Sequence, residues 1–213
     1  MFDNLVTYHI HKRDPLPAND ALAYQYVLAG NGVFVCAETR FFTVLLQVTA
    51  CTVRGLPPLR PQFQLLVPRI PARLLDAVLA DARRARRPDN GLNEVLYQFH
   101  HHGRAVQVKK PAQQTTPTSV ATDVTTAVAD AASIICDLHS HGNMRAFFSQ
   151  TDNAEEQGAR LYAVIGRLDS EPEMRLRVGV YGHWLALPLT AVFTNSGPFK
   201  DLYQEKQDDK QRL

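Results

Sequence analysis

Four residues carry the chemistry that this sequence offers most openly: His139, His141, Ser149 and Asp152. The two histidines close an apolar run, Ile134 to Leu138, which reads as a short buried strand. Alternate residues of a strand share a face and stand about 7 Å apart along the chain. Two imidazoles so placed can converge on one metal ion. Seven residues follow, Gly142 to Phe148, and the whole reads H-x-H-x7-S-x-x-D. Two histidines and one carboxylate leave the fourth position of a tetrahedral zinc open for water, which marks a catalytic rather than a structural site. Zinc lowers the pKa of water to about 7 and polarises a carbonyl. A general base must still take the proton from that water.

Each half of the pattern has a plainer explanation. H-x-H on a strand is more often a pair of satisfied histidines. Ser149-x-x-Asp152 is close to a capping box, with Ser149 as N-cap and Asp152 at N3 of a helix through Glu156. The conjunction is harder to obtain by chance, and the two explanations are compatible, because a capped helix end holds Asp152 rigidly toward a metal. The chain carries its own control. His9 and His11 form a second H-x-H, but Asn19 and Leu22 stand at the matching downstream positions, so nothing completes that site.

The elements that must position these residues fit one ordinary globular domain with a smaller appended part, given 213 residues and 45% hydrophobic content. A net charge of +2 gives no global field for nucleic acid. No apolar run approaches 18 residues and no signal peptide is seen, so neither a membrane span nor secretion is expected. Cys36, Cys51 and Cys136 lack C-x-x-C spacing, which suits reduced thiols in a cytoplasm and argues against a cysteine zinc site.

Residues 1–68 form a β-rich extension: an arm with a short strand around Leu5 to Ile10, a hairpin about Gly30-Asn31-Gly32, and a third strand over Phe41 to Val53. A small antiparallel sheet over about residues 20 to 68 is expected. Leu56-Pro57-Pro58 and Pro61 mark a turn-rich joint, and after Pro68 a helix from Ala72 to Arg87 places Leu74, Leu75, Val78, Leu79 and Ala82 on one face. Arg83, Arg84, Arg86 and Arg87 read as a solvated helix end rather than a patch for an anionic partner. Asn93 to Phe99 and Arg104 to Val108 pair about a His100-His101-His102-Gly103 turn, whose consecutive histidines point apart and cannot all serve one ion. Pro111 to Ser119 is a loop, and Thr122 to Ala132 a short helix. Leu161 to Arg167 and Leu176 to Tyr181 are strands, and residues 197–213 a charged tail. The main domain is 69–196, a mixed α/β unit.

The motif resembles the metal site of the JAB/MPN (JAMM) zinc metalloproteases, with all four defining positions filled at the right spacing. The resemblance runs over roughly Leu65 to Phe193 and is nearest to the A proteins of ParB-related/ThiF-related (PRTRC) cassettes. It implies a cytidine-deaminase-like sheet sandwiched by helices, Zn2+ held by His139, His141 and Asp152, and a base supplied by an upstream glutamate. Glu94 is the single glutamate between Thr39 and Leu138, so it takes that role, although a solvent-facing strand glutamate is the ordinary alternative. Ser149 would hydrogen-bond the developing oxyanion. Gly142 stands where many members carry proline, and Cys136-Asp137-Leu138 where many carry Gly-Trp-Tyr-like residues. Neither removes a ligand, but both weaken any specificity carried over from eukaryotic deubiquitinases.

Three functions follow. The resemblance implies an isopeptidase or peptidase acting on the C-terminal tail of a ubiquitin-like protein, with a ThiF-like activating enzyme as possible cassette partner. A zinc deaminase would need a P-C-x-x-C pattern, which is absent. A latent MPN-type assembly module is the remaining alternative, although such scaffolds have usually lost ligands. Phe147 and Phe148 can wall the cleft or fill the core.

Overall fold

The computed structural model describes residues 4–103, 105–122 and 131–203. The chain divides into two compact units. The first comprises Met1–Val67 with two later pieces, Glu156–Ala159 and Gly179–Leu185. The second comprises Pro68–Glu155, Arg160–Val178 and Ala186–Leu213.

The first unit is a five-stranded sheet in sequence order: β1 (Val6–Ile10), β2 (Tyr24–Ala29), β3 (Gly32–Glu38), β4 (Phe42–Ala50) and β5 (Gln62–Leu65). Its buried side alternates as a half-buried sheet should, with Val27, Ala29, Phe34, Leu45 and Leu59 packed together. The expected hairpin forms, and Asn31 explains its turn. The Asn31 amide donates to the Leu59 carbonyl at 2.8 Å and accepts the Leu59 N–H at 2.9 Å. Strands β2 to β5 pair antiparallel, as expected over about residues 20 to 68. The antiparallel extension needs one correction: β1 joins parallel to β2, so the whole sheet is mixed. The segment from His11 to Ala23 is long enough to carry the chain back for a parallel crossover, which a tight turn cannot do. β5 closes the sheet directly after the turn-rich Leu56 to Pro61.

A seven-stranded sheet, most of whose residues fall in the second unit, carries the site. Its order is β13 (His183–Leu187), β12 (Glu173–Val180), β11 (Ala159–Gly166), β10 (Ile134–Ser140), β6 (Leu96–His102) and β7 (Ala105–Lys109), with β14 (Lys200–Asp201) beside β12. Helix α1 (Arg73–Ala82) buries Leu75, Val78, Leu79 and Ala82, the face its spacing predicts. A separate pair, β8 (Gln113–Thr115) and β9 (Val120–Thr122), forms a small hairpin. A second helix, α2 (Gln150–Glu155), follows the motif loop. This is the mixed α and β architecture expected from the sequence.

Local details differ from expectation. Helix α1 stops at Ala82 rather than Arg87. Beyond it the N–H groups of Arg84 and Ala85 turn to carbonyls three residues back. The arginines then take separate partners: Arg83 the Leu168 carbonyl, Arg86 the Asp169 carboxylate, and Arg87 the Asp89 carboxylate. His100 to His102 lie on β6 instead of forming the turn, which begins at Gly103 with φ of 61°. The stretch read as a loop at 111–119 contains β8, because Thr116 and Ser119 close a turn between β8 and β9. The helix expected over 122–132 falls mostly on residues outside those described, as does the tail after Tyr203. Lys200–Asp201 pairs with β12, and Leu202 is fully buried.

Candidate metal centre

Strand β10 is the middle of the sheet, parallel to β11 and antiparallel to β6. Its residues Ile134, Ile135, Cys136 and Leu138 are buried, so burial on both faces fixes its register. His139 is its penultimate residue. His141 lies one residue past its end, and its N–H still bonds the Ile165 carbonyl of β11 at 2.8 Å. The two imidazoles therefore leave a rigid strand end on the same side. Their Nε2 atoms lie 3.1 Å apart.

The seven-residue loop that follows is held along its backbone. The Gly142 carbonyl accepts the Leu168 N–H at 3.1 Å, and the Met144 carbonyl accepts the Arg167 N–H at 2.7 Å. Ala146 is gripped at both ends: its N–H donates to the buried Glu173 carboxylate at 2.8 Å, and its carbonyl accepts Arg175 Nε at 2.9 Å. Asn143 exchanges hydrogen bonds with Asp169, which Arg86 holds in turn. Gly166 permits the close approach, since a Cβ there would sit 2.4 Å from the Met144 carbonyl. Gly142 adopts φ of 55°, a left-handed conformation suited to glycine.

The loop delivers Ser149 and Asp152 as a reciprocal cap at the start of α2. The Ser149 N–H donates to Asp152 Oδ2 at 2.5 Å, and the Asp152 N–H donates to Ser149 Oγ at 3.1 Å. This is the capping box read from the sequence. One carboxylate oxygen is thus spent on the backbone, and the other, Oδ1, faces His139 Nε2 at 3.3 Å. Ser149 Oγ uses a lone pair on the helix, so its own proton is available to donate elsewhere.

His139, His141 and Asp152 each offer one ligand atom, and these atoms all lie within 4.8 Å of one another. A tetrahedral ion with bonds of about 2.0–2.1 Å sets its ligands roughly 3.3 Å apart. The observed 3.1 and 3.3 Å separations match that edge. Burial lowers the pKa of His139, assisted by the charges of His141 and Arg177 and opposed by Asp152. Burial likewise lowers that of His141. Both imidazoles are therefore neutral at pH 7, the form that binds metal. Asp152 is pushed up by burial, but His139 and the Ser149 hydrogen bonds bring it below the usual carboxylate range. The donor set and its protonation states fit zinc.

Glu94 lies in an extended segment two residues before β6 rather than on the strand itself. Its Oε1 is 3.9 Å from His141 Nε2, and its side chain is 9% exposed. Burial, with the Asp152 charge nearby, pushes its carboxyl up to about 7. A carboxyl near that value can both take and give a proton at neutral pH.

A model of the prokaryotic homologs of the JAB domain matches residues 71–179. The chain belongs to that family. No curated protein matches it. The JAB family includes metalloisopeptidases and latent forms, and typically binds zinc. The matched residues include all five candidate site residues, from Glu94 to Asp152.

Several positioning residues of the JAB domain were not evident from sequence. Ser140, the middle residue of the H-x-H, is fully buried. Its hydroxyl accepts the Val95 N–H at 3.0 Å and its own N–H donates to the Val95 carbonyl, tying the Glu94 segment to the histidine strand. Arg177 lies over the Phe148 ring at 3.6 Å. Phe148 itself packs on Ala146, Val164 and Leu202, whereas Phe147 is 45% exposed and meets the His141 ring at 4.7 Å. The two phenylalanines thus divide between core and site. The one available signal was a serine between two histidines at the end of a mostly apolar strand.

Proposed function

We propose that this chain is a zinc-dependent isopeptidase or peptidase that cleaves at the C-terminal tail of a ubiquitin-like protein. The observation that carries the reading is the convergence of His139, His141 and Asp152 with a buried carboxyl, Glu94, 3.9 Å from His141. His139, His141 and Asp152 would hold the ion. Zinc bound there supplies Lewis acidity, acidifying a water and polarising a carbonyl. Glu94 accepts the proton from the attacking water and returns it to the leaving amine. The Ser149 hydroxyl, with its acceptor side engaged by the helix, donates to the oxyanion as it develops. Asp152 stays ionised and keeps one oxygen for the ion.

The ubiquitin-like substrate and the ThiF-like activating enzyme rest on the likeness to PRTRC A proteins. Three free thiols support work in a reducing cytoplasm. No helix among the described residues is long and apolar enough to cross a membrane. The test is incubation of zinc-loaded protein with ubiquitin-like fusions ending in Gly-Gly before the scissile bond, with and without chelator. Chelator-sensitive cleavage after the tail is expected. No cleavage of any such fusion by the loaded protein transfers the assignment to a latent assembly module.

A further inference from the structure

The Glu94 segment is flanked on two sides, and only one side belongs to the sheet. Toward β10, Val95 exchanges hydrogen bonds with Ser140. On the outer side β7 has already ended, since its pairing with β6 reaches only Gln98. The backbone of Glu94 and Leu96 would face an unfilled edge there. The β8–β9 hairpin fills it, with side chain as much as main chain. The Glu94 N–H donates to the Thr116 carbonyl at 2.9 Å. Gln113 Oε1 accepts the Leu96 N–H at 2.8 Å, and Gln113 Nε2 donates to the Leu96 carbonyl at 3.0 Å. The second Nε2 proton goes to the Pro111 carbonyl at 3.0 Å. The amide thus copies the peptide group of a missing strand, with its orientation set by partners on both ends. Asn93 adds a bond to the Thr115 hydroxyl at 3.2 Å.

We infer that Gln113 is a positioning residue for Glu94: its amide stands in for a sheet strand and fixes the backbone from which the base projects beside His141. The inference rests on the reading of Glu94 as the base. Gln113 lies well away in sequence from the metal motif and touches no ligand, so its loss should separate turnover from metal binding. A displacement of about 1 Å at a catalytic group costs on the order of 100-fold in rate.

The experiment compares Gln113→Ala and Gln113→Met with wild type, each loaded with zinc. Amide hydrogen exchange is the first readout. Both variants should keep one zinc, speed exchange at Glu94 and Leu96, and leave Cys136–Ser140 protected. Unchanged protection at Leu96 overturns the inference, as does protection lost throughout β10, and wild-type behaviour of Gln113→Met would assign the effect to packing instead. The second readout is turnover of a Gly-Gly-ended ubiquitin-like fusion. Gln113→Ala should lower kcat by about 10- to 100-fold with KM little changed. In a Glu94→Gln background the same substitution should change nothing further. An equal loss in that background shows that Gln113 does not act through Glu94. If Glu94→Gln keeps wild-type turnover, the base assignment itself fails. If it loses turnover while exchange at Leu96 is unmoved in Gln113→Ala, only the role of Gln113 fails.

Discussion

His9-Ile10-His11 and His139-Ser140-His141 are the same three-residue pattern at the ends of two strands, and they meet opposite surroundings. Strand β1 is the edge of its sheet, whereas β10 is flanked by β6 and β11. At the edge strand, His11 is buried and its Nε2 lies 3.3 Å from Asp14, a residue whose side chain is 80% exposed. At the central strand, both Nε2 atoms face each other and an aspartate thirteen residues beyond His139. The spacing of histidines alone decides little. What differs is the segment that follows, which in one case is a backbone-pinned loop ending in a capped helix. In the other it is an irregular run in which Asn19 bonds the Cys36 carbonyl and the Ala21 N–H.

The sharpest contrast is in metal content. His139→Ala should abolish zinc binding, while His9→Ala and His11→Ala keep a full equivalent by elemental analysis. Zinc retained in the His139 variant would erase the distinction between the two pairs. Next in size is the base: Glu94→Gln should retain zinc and lose about 10²- to 10⁴-fold in turnover. Steady-state rates on a cleavable fusion measure it, and wild-type rates would make Glu94 a bystander. Ser149→Ala should cost roughly 10²- to 10³-fold in kcat from the lost oxyanion donor. It should also cost about 1 kcal/mol in stability from the lost cap. Asn19→Ala, its counterpart at the first pair, should leave turnover alone. The smallest expected effect comes from completing the first motif on paper. Asn19→Ser with Leu22→Asp, made in the His139→Ala background, should gain no zinc, because that stretch has no helix start to aim a carboxylate. Zinc uptake by that variant would show that spacing suffices without the loop.

The convergence of His139, His141 and Asp152 and the capped helix were legible in the sequence because their information is local. The H-x-H ends an apolar strand, and Ser149 and Asp152 are three residues apart. The core face of α1 was legible for the same reason, being written in helical spacing. The end of α1 was not, since Arg83 and Arg86 leave the helix for Leu168 and Asp169, partners more than eighty residues away. Nor was the grip on Ala146 by Glu173 and Arg175, nor the role of Gln113, because side chains that substitute for backbone partners carry no periodicity. His100 to His102 deceived for a related reason. Three polar residues in a row suggest a turn, but the Ser133 hydroxyl meets His100 at 2.7 Å and lets β6 continue.

Gly142 bears on anyone who would rebuild this domain by family consensus. The resemblance to JAB/MPN proteases invites proline at this position, and consensus replacements often raise stability. Proline locks φ near −65°, whereas Gly142 sits at 55°. A Cβ there would also meet Leu92 at 3.1 Å. The fashionable residue would swing the loop off its clasps one step after the second histidine. In a chimera, the stretch from Gly142 to Asp152 must therefore travel as one cassette together with its clamps at Gly166, Asp169, Glu173 and Arg175, because residue-by-residue averaging would mix two incompatible paths.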